Sequence, residues 1–235
     1  MRTLDGHSID LDDYDFLDLG ASHGDSLTWA RRALSVARGL GVDSSPAKVA
    51  AALAAGHDCV RADATALDAP DGSVDHVVMS HFLEHLPDAT AVERALRGAV
   101  RLARRSVVVR GPWFEADTWL RTRGLKLYWS DWTGHRCHVD RTLLACVLDA
   151  VDCHDYALFA RGRVDDASSP VVLPIDAPPD QHDYVASHGP KPDVRFAGNV
   201  YREIWAVVRI VPGRSPLRWS VRRRLVPIDT VPRLA

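Results

Sequence analysis

At 235 residues and 46% hydrophobic, the chain is long enough to bury one substantial core and too short for two ordinary domains to be expected. Its 29 Lys and Arg against 31 Asp and Glu leave a net charge of -2, which excludes the overall basic excess of a nucleic-acid binder. The four cysteines form no CxxC pair, acids at Asp5, Asp10, Asp12 and Asp13 stand where a signal peptide would be apolar, and no apolar run reaches the length of a membrane span. The expectation is a cytoplasmic protein with reduced thiols.

In chain order, residues 14–19 form an apolar run that ends at Asp18-Leu19 and breaks into the turn Gly20-Ala21-Ser22-His23-Gly24. Residues 25–34 then place Leu27, Ala30, Ala33 and Leu34 on one helical face. A strand that reopens as a helix presents backbone N–H groups at the helix N-terminus, which suits an anionic ligand group. The Asp18 carboxylate suits a cationic or hydroxyl-bearing one. Residues 36–42 read as a second strand ended by Asp43, and Ser45-Pro46 supplies an N-cap and a first-position proline for an Ala-rich helix that Gly56 stops. Residues 59–62 form a short third strand ending at Asp63, and residues 74–80 a fourth, after the Asp71-Gly72 turn and ending at Ser80. A helix over 90–102 and an apolar strand over 106–110 complete the alternation. It predicts a parallel sheet covered by helices on both faces, whose ligands bind at the carboxyl ends of the strands, here Asp18, Asp43, Asp63 and Ser80.

After Gly111 the texture changes to an aromatic stretch holding Trp113, Phe114, Trp119, Tyr128, Trp129 and Trp132, followed by Gly134-His135-Arg136-Cys137-His138. Asp140 caps a further helix, residues 152–159 read as a sixth strand and 200–210 as a seventh. The Pro- and Asp-rich segment 161–199 between them is long for a loop, and reads as a lid or as a poorly ordered stretch. Residues 213–235 form a basic tail containing Trp219. It reads as a solvated end, with contact to a membrane surface, nucleic acid or an anionic acceptor as the other roles its composition allows. The expected domain is residues 1–212.

Four pieces in register resemble the class I methyltransferases that use S-adenosyl-L-methionine, in the branch acting on small molecules. They are Asp18-Leu19-Gly20-Ala21-Ser22-His23-Gly24, Gly41-Val42-Asp43-Ser44-Ser45, Arg61-Ala62-Asp63-Ala64, and the stretch from Ser73 to Asp88 that contains Ser80-His81-Phe82-Leu83-Glu84-His85. A Gly-His-x-x-His segment like that of residues 134–138 also recurs in relatives. The resemblance implies a Rossmann-like, seven-stranded α/β sheet, mostly parallel with the last strand antiparallel. It implies a site for the methyl donor and its product S-adenosyl-L-homocysteine, with Asp18, Gly20, Ala21, Ser22 and Gly24 at the amino acid end. Asp43 and Ser44 fall at the ribose, Asp63 and Ala64 at the adenine, and Ser80 and His81 after the fourth strand. Ser22 stands where the family often has glycine.

Methyl transfer is an in-line displacement in which positioning supplies much of the acceleration, and a hydroxyl acceptor must also lose its proton. Histidine suits that task near neutral pH, so His85, His135 and His138 are the candidate catalytic residues. Two histidines without an acid set do not make a metal site, so no metal is assigned and metal dependence stays open. Trp113, Trp129, Trp132 and Arg136 are the candidate acceptor contacts, with Glu115 and Asp117 as further polar neighbours. Each of these residues also has a plainer role open to it, as a cap, a packing ring or a polar lining group. The reading is transfer to an oxygen of a small polar acceptor such as a sugar or glycoside. N-methylation, methylation of an aromatic product, and a non-catalytic cofactor-binding interaction module are the alternatives. The partners expected are a small-molecule acceptor and no nucleic acid, with peripheral membrane contact through the tail and a homodimer left open.

Overall fold

Runs of apolar residues bounded by acids and glycines set the strands, and one-sided apolar faces set the helices that cover them. The computed structural model describes residues 1–231. In order it shows β1 (Phe16–Leu19), α1 (Asp25–Leu34), β2 (Gly39–Asp43), α2 (Pro46–Ala54), β3 (Cys59–Arg61), β4 (Val74–Ser80), α3 (Ala89–Leu102) and β5 (Ala103–Pro112). There follow α4 (Asp117–Arg121), β6 (Leu125–Leu127), α5 (Arg141–Ala150), β7 (Tyr156–Arg161), β8 (Val172–Pro174), β9 (Glu203–Arg209), α6 (Trp219–Arg222) and β10 (Val226–Pro227).

Every residue of β1 and β2 is buried, as strands covered on both faces require. The side chains of Ser45, Asp88 and Asp140 accept from the backbone N–H of Lys48, Ala91 and Leu143, so α2, α3 and α5 start on side-chain caps. The second strand begins three residues later than its apolar run, because Ser35 leaves α1 in the left-handed region and the Asp15 carboxylate accepts from the Ala37 and Arg38 N–H groups. Gly39 then passes so close to Phe16 that a Cβ would stand 2.1 Å from its ring.

The main sheet has the order β10-β7-β9-β5-β4-β1-β2-β3. Strands β1 to β5 pair in parallel, and β9 enters antiparallel between β5 and β7. The fold is Rossmann-like, and the expected antiparallel seventh strand is β9. The sheet has eight strands where seven were expected, because the tail adds β10 antiparallel to β7. No helix among the described residues is long and apolar enough to cross a membrane.

Two segments differ from their sequence reading. Residues 161–199 pack onto the chain: β8 pairs β6, Val171, Val172, Leu173 and Phe196 are buried, and the buried Lys126 ammonium bonds Asp131 and the Ala177 carbonyl. The basic tail, read as a solvated end, instead runs back across the sheet edge. Leu217, Leu225, Ile228 and Val231 are buried, and the Arg218 N–H donates to the Ala33 carbonyl at 2.8 Å. Spaced apolar residues among the arginines supply the anchoring that charge alone would not. The last four residues of the predicted tail, 232–235, lie outside the described residues.

Leu217 is 4% exposed and packs with Phe16 and Leu27. Leu217→Ala is expected to cost roughly 2–4 kcal/mol in urea unfolding, whereas the exposed Trp219→Ser costs under about 0.5 kcal/mol. Equal and small effects would show that the segment does not pack in solution.

Candidate functional site

At the carboxyl end of β1 the chain turns inside a narrow space. Gly20 and Ala21 donate to the Val42 carbonyl at 2.8 and 3.1 Å, and Gly20 holds φ 77° under the Phe82 ring, 2.3 Å from where a Cβ would stand. Ser22 takes φ 50° without being glycine. Its N–H donates to Asp43 Oδ2 at 3.0 Å, while Asp43 Oδ1 accepts from the Ser45 N–H at 2.9 Å. One carboxylate thus ties the first turn to the second, and each of its oxygens keeps a lone pair for a hydroxyl.

A cleft of about 260 Å³ opens beside it, lined by Gly20, Ser22, Asp43, Ser44, Asp63, Ala64, His81 and His85. Asp63 Oδ1 accepts from the Thr65 N–H and hydroxyl, both at 2.8 Å, which fixes the turn and leaves Oδ2 without a bond among the described residues. A second cleft of about 270 Å³ shares Gly20, Ser22 and His81 with the first and adds Ala21, Ser26, Ser80 and Arg110. The predicted cofactor residues are therefore brought together around two adjoining clefts. Asp18 and Gly24 are the exceptions: Asp18 lines neither cleft, and Gly24 sets the start of α1, where a Cβ would meet His57 at 2.2 Å.

Asp18 lies between the turn and the sheet, fully buried, and neither carboxylate oxygen has a hydrogen bond among the described residues. Burial pushes its pKa up to about 7, against the opposing influence of Ser26 and Arg110. A buried carboxylate without partners is costly, and a ligand that donates hydrogen bonds or carries positive charge offsets that cost.

Beyond the cleft stands a cluster of charges that sequence reasoning missed. His81 takes φ 52° at the end of β4, with Nδ1 3.4 Å from Glu84 Oε1 and Nε2 3.4 Å from Glu203 Oε1. Burial disfavours its charge, but the two carboxylates outweigh burial and raise its pKa to about 9. Glu203 likewise resists burial: His81, the Trp205 indole N–H at 2.9 Å, Arg110 and the Arg161 guanidinium at 2.9 Å lower its pKa to about 2. Arg110 donates to the Ser80 hydroxyl at 2.7 Å and stacks over Trp29 at 4.1 Å. Glu203 reaches this edge only because β9 is antiparallel, which sets its first residue beside Pro112 of β5. No local pattern signals that register.

The histidines divide. His85 Nδ1 lies 2.9 Å from the Gly134 carbonyl and His135 Nδ1 2.8 Å from the Trp129 carbonyl. A carbonyl only accepts, so both rings carry a proton on Nδ1, and in the neutral form of each ring the lone pair is on Nε2. The ring centroids are 5.0 Å apart, and burial lowers the His135 pKa, with His85 and His138 adding to the effect. His138 stands apart from this pair, stacked on Phe114 at 4.2 Å and 3.2 Å from Asp117.

The acceptor contacts need correction. Trp113 is fully buried and Trp129 is 4% exposed, with its indole N–H donating to the Trp113 carbonyl at 2.9 Å, so both are core residues with no face for an acceptor. Trp132 is half-buried and lies 4.7 Å from His182 and 6.3 Å from His135, ring to ring. Tyr128 and His182 complete an aromatic wall that the sequence did not single out as one surface. Arg136 is exposed, and its N–H donates to the Glu84 carbonyl at 2.8 Å.

In comparison with known proteins, residues 17–109 match the model of a family described as a methyltransferase domain. No curated protein matches the sequence at a significant level. Among solved structures, an S-adenosylmethionine-dependent methyltransferase from Archaeoglobus fulgidus is similar with a TM-score of 0.57 at 15% identity, over 85% of this chain and 88% of that one. The YcgJ protein of Bacillus subtilis gives 0.59 at 15% identity, over 86% and 94%. A magnesium protoporphyrin IX methyltransferase from Synechocystis, solved with bound S-adenosylhomocysteine, gives 0.50 at 14%, over 85% and 76%. At these identities the likeness is one of fold.

The Asp18 carboxyl has a folded pKa raised from 3.8 to about 7, so its contribution to stability is fully present below about pH 4 and is lost as pH rises towards and past 7. Asp18→Asn is expected to remove that decline, leaving the variant more stable than the parent at pH 8 by on the order of 2–4 kcal/mol in ligand-free unfolding curves. Parallel pH profiles for the two proteins would show that the carboxylate is solvated.

Proposed function

We propose that the chain is a methyltransferase of the class I, S-adenosylmethionine-dependent kind, and that it methylates an oxygen of a small polar acceptor such as a sugar or glycoside. The residues present fit the cofactor. Asp18 is an orphaned buried carboxylate suited to the amino acid end or the sulfonium charge, and Asp43 retains acceptor capacity for ribose hydroxyls beside Ser44. Asp63 and Ala64 suit the adenine edge, while Ser80 and His81 line the adjoining cleft. When bound, the cofactor supplies an electrophilic methyl carbon on a positively charged sulfur.

The observation that carries the oxygen-directed reading is His85. Its ring lines the cofactor cleft, its Nδ1 proton is committed to the Gly134 carbonyl, and its Nε2 lone pair is left for an acceptor hydroxyl. His135 offers a second such lone pair beside it. A hydroxyl is far too weak an acid to lose its proton unaided, so a lone pair within reach is what an oxygen acceptor requires. Trp132, Tyr128 and His182 offer ring faces against which the C–H face of a sugar packs, and Arg136 adds an exposed donor. Exposed Trp219 with Arg222 and Arg223 keeps the surface chemistry of a peripheral membrane contact within this reading, apart from the transfer itself.

Calorimetry with S-adenosylhomocysteine is expected to show binding that Asp43→Ala weakens at least tenfold. His85→Ala is expected to keep that affinity while lowering transfer to a hydroxyl acceptor by roughly 10²–10⁴-fold, measured by mass spectrometry across a panel of glycosides and matched amines. Turnover confined to the amines, or a His85 variant with full activity, would sink the oxygen assignment.

A further inference from the structure

The turn that follows β4 and the loop before α5 meet in a way that the transfer reading does not use. Residues Leu83–His85 form a single 3₁₀ turn, and the Glu84 carbonyl accepts from both the Arg136 and the Cys137 N–H groups at 2.8 and 3.1 Å. This clamp presses the loop that bears His135 against the turn that bears Glu84 and His85. One ligand atom from each of these three side chains lies within 4.8 Å of the others.

We propose that Glu84, His85 and His135 bind a divalent transition-metal cation of the zinc type, at the rim of the cofactor cleft. Two imidazoles and one carboxylate are the donor set of catalytic sites that keep a position open for water or substrate. Two nitrogen donors disfavour magnesium and calcium, which take oxygen.

Three independent features point to a ligand here. Glu84 is 2% exposed and its Oε1 makes no hydrogen bond among the described residues, its nearest charged neighbour being His81 at 3.4 Å. A buried carboxylate so placed has acceptor capacity left for a cation. His85 and His135 each donate Nδ1–H to a backbone carbonyl, the outer contact that orients metal-binding histidines and fixes Nε2 as the donor. Phe114 stands edge-on to His135 at 5.9 Å and Trp132 flanks it, which limits the ring's freedom. Tetrahedral zinc with bonds of about 2.0–2.1 Å needs donors about 3.3 Å apart, so the three groups must draw closer together to hold it. Side-chain torsion of the exposed His85 supplies such a movement. As the place where an acceptor oxygen is bound and acidified, the site rests on the transfer reading, and with the metal bound the His85 and His135 lone pairs hold the metal in place of taking the acceptor proton. As a metal site it stands on its own geometry.

The test uses the full chain, stripped with a chelator and titrated with zinc chloride against a chromophoric competitor, with cobalt absorption as a second readout. One equivalent is expected to bind, to raise the melting temperature, and to give the visible bands of cobalt in a low-coordinate nitrogen and oxygen site. Glu84→Gln and His135→Ala should each weaken binding at least tenfold, and the exposed His154→Ala should leave it unchanged. Circular dichroism identifies any variant that fails to fold, and His85→Gln then takes its place. The inference is overturned by an absence of stoichiometric binding, or by affinity that survives both folded site variants, or by affinity lost in His154→Ala. Titration of S-adenosylhomocysteine into the same preparations separates the two ideas. Binding of the nucleoside without zinc removes the metal site alone, whereas binding of zinc without the nucleoside removes the transferase reading and leaves the metal site standing.

Discussion

The Asp43 carboxylate is the joint on which the site depends. By accepting from Ser22 on the first turn and Ser45 on the second, it makes two strand-to-helix turns into one rigid wall. The arrangement also explains how a serine holds φ 50°: the hydrogen bond from its N–H to a nearly buried charged acceptor is stronger than one between neutral groups and offsets the strain of the left-handed region. A ligand hydroxyl that reaches Asp43 then meets an acceptor already oriented, so little ordering entropy is lost on binding.

Opposite this wall the sheet edge is held by charges of both signs. Glu203 comes from β9, Arg161 from β7, Arg110 from β5 and His81 from the end of β4, so four strand ends converge on one carboxylate and its partners. Such a network is expensive to desolvate and is stabilised only when its members pair. The antiparallel insertion of β9 meets that condition, because a parallel strand in the same place would deliver its last residue here and not its first.

What was legible in the sequence follows from what is local. The strands and helices up to Leu102, the caps at Ser45 and Asp140 and the acids at the strand ends all express periodicity and turn chemistry within a few residues. The Trp113 and Trp129 assignments failed because a count of aromatics does not tell which ring faces inward, and the Trp129 indole is satisfied by a backbone carbonyl sixteen residues away. Glu203 was invisible because its role comes from register, and Glu84 because it comes from burial between two histidines. The tail misled for a different reason: its arginines dominate the composition, while Leu217, Leu225 and Ile228 dominate the packing.

The balance of charge around the clefts joins these observations. Asp43 and Asp63 line the clefts and Asp18, Glu84 and Glu203 stand around them, with Lys48, His81, Arg110 and Arg161 as the cationic side chains. Arg161 and Arg110 are engaged with Glu203, and Ser80 takes a further donor from Arg110, so these two cations are committed to the β9 side, while Lys48 stands on the Asp43 side. Asp18 on the donor side and Glu84 on the acceptor side are the two acids left with buried oxygens that make no hydrogen bond among the described residues. Asp18 is the more isolated of the two, since the Glu84 carboxylate faces the His81 ring at 3.4 Å. In the proposed function a sulfonium-bearing cofactor would stand against Asp18, whereas Glu84 lies between the His81 ring on one side and the His85 and His135 imidazoles on the other.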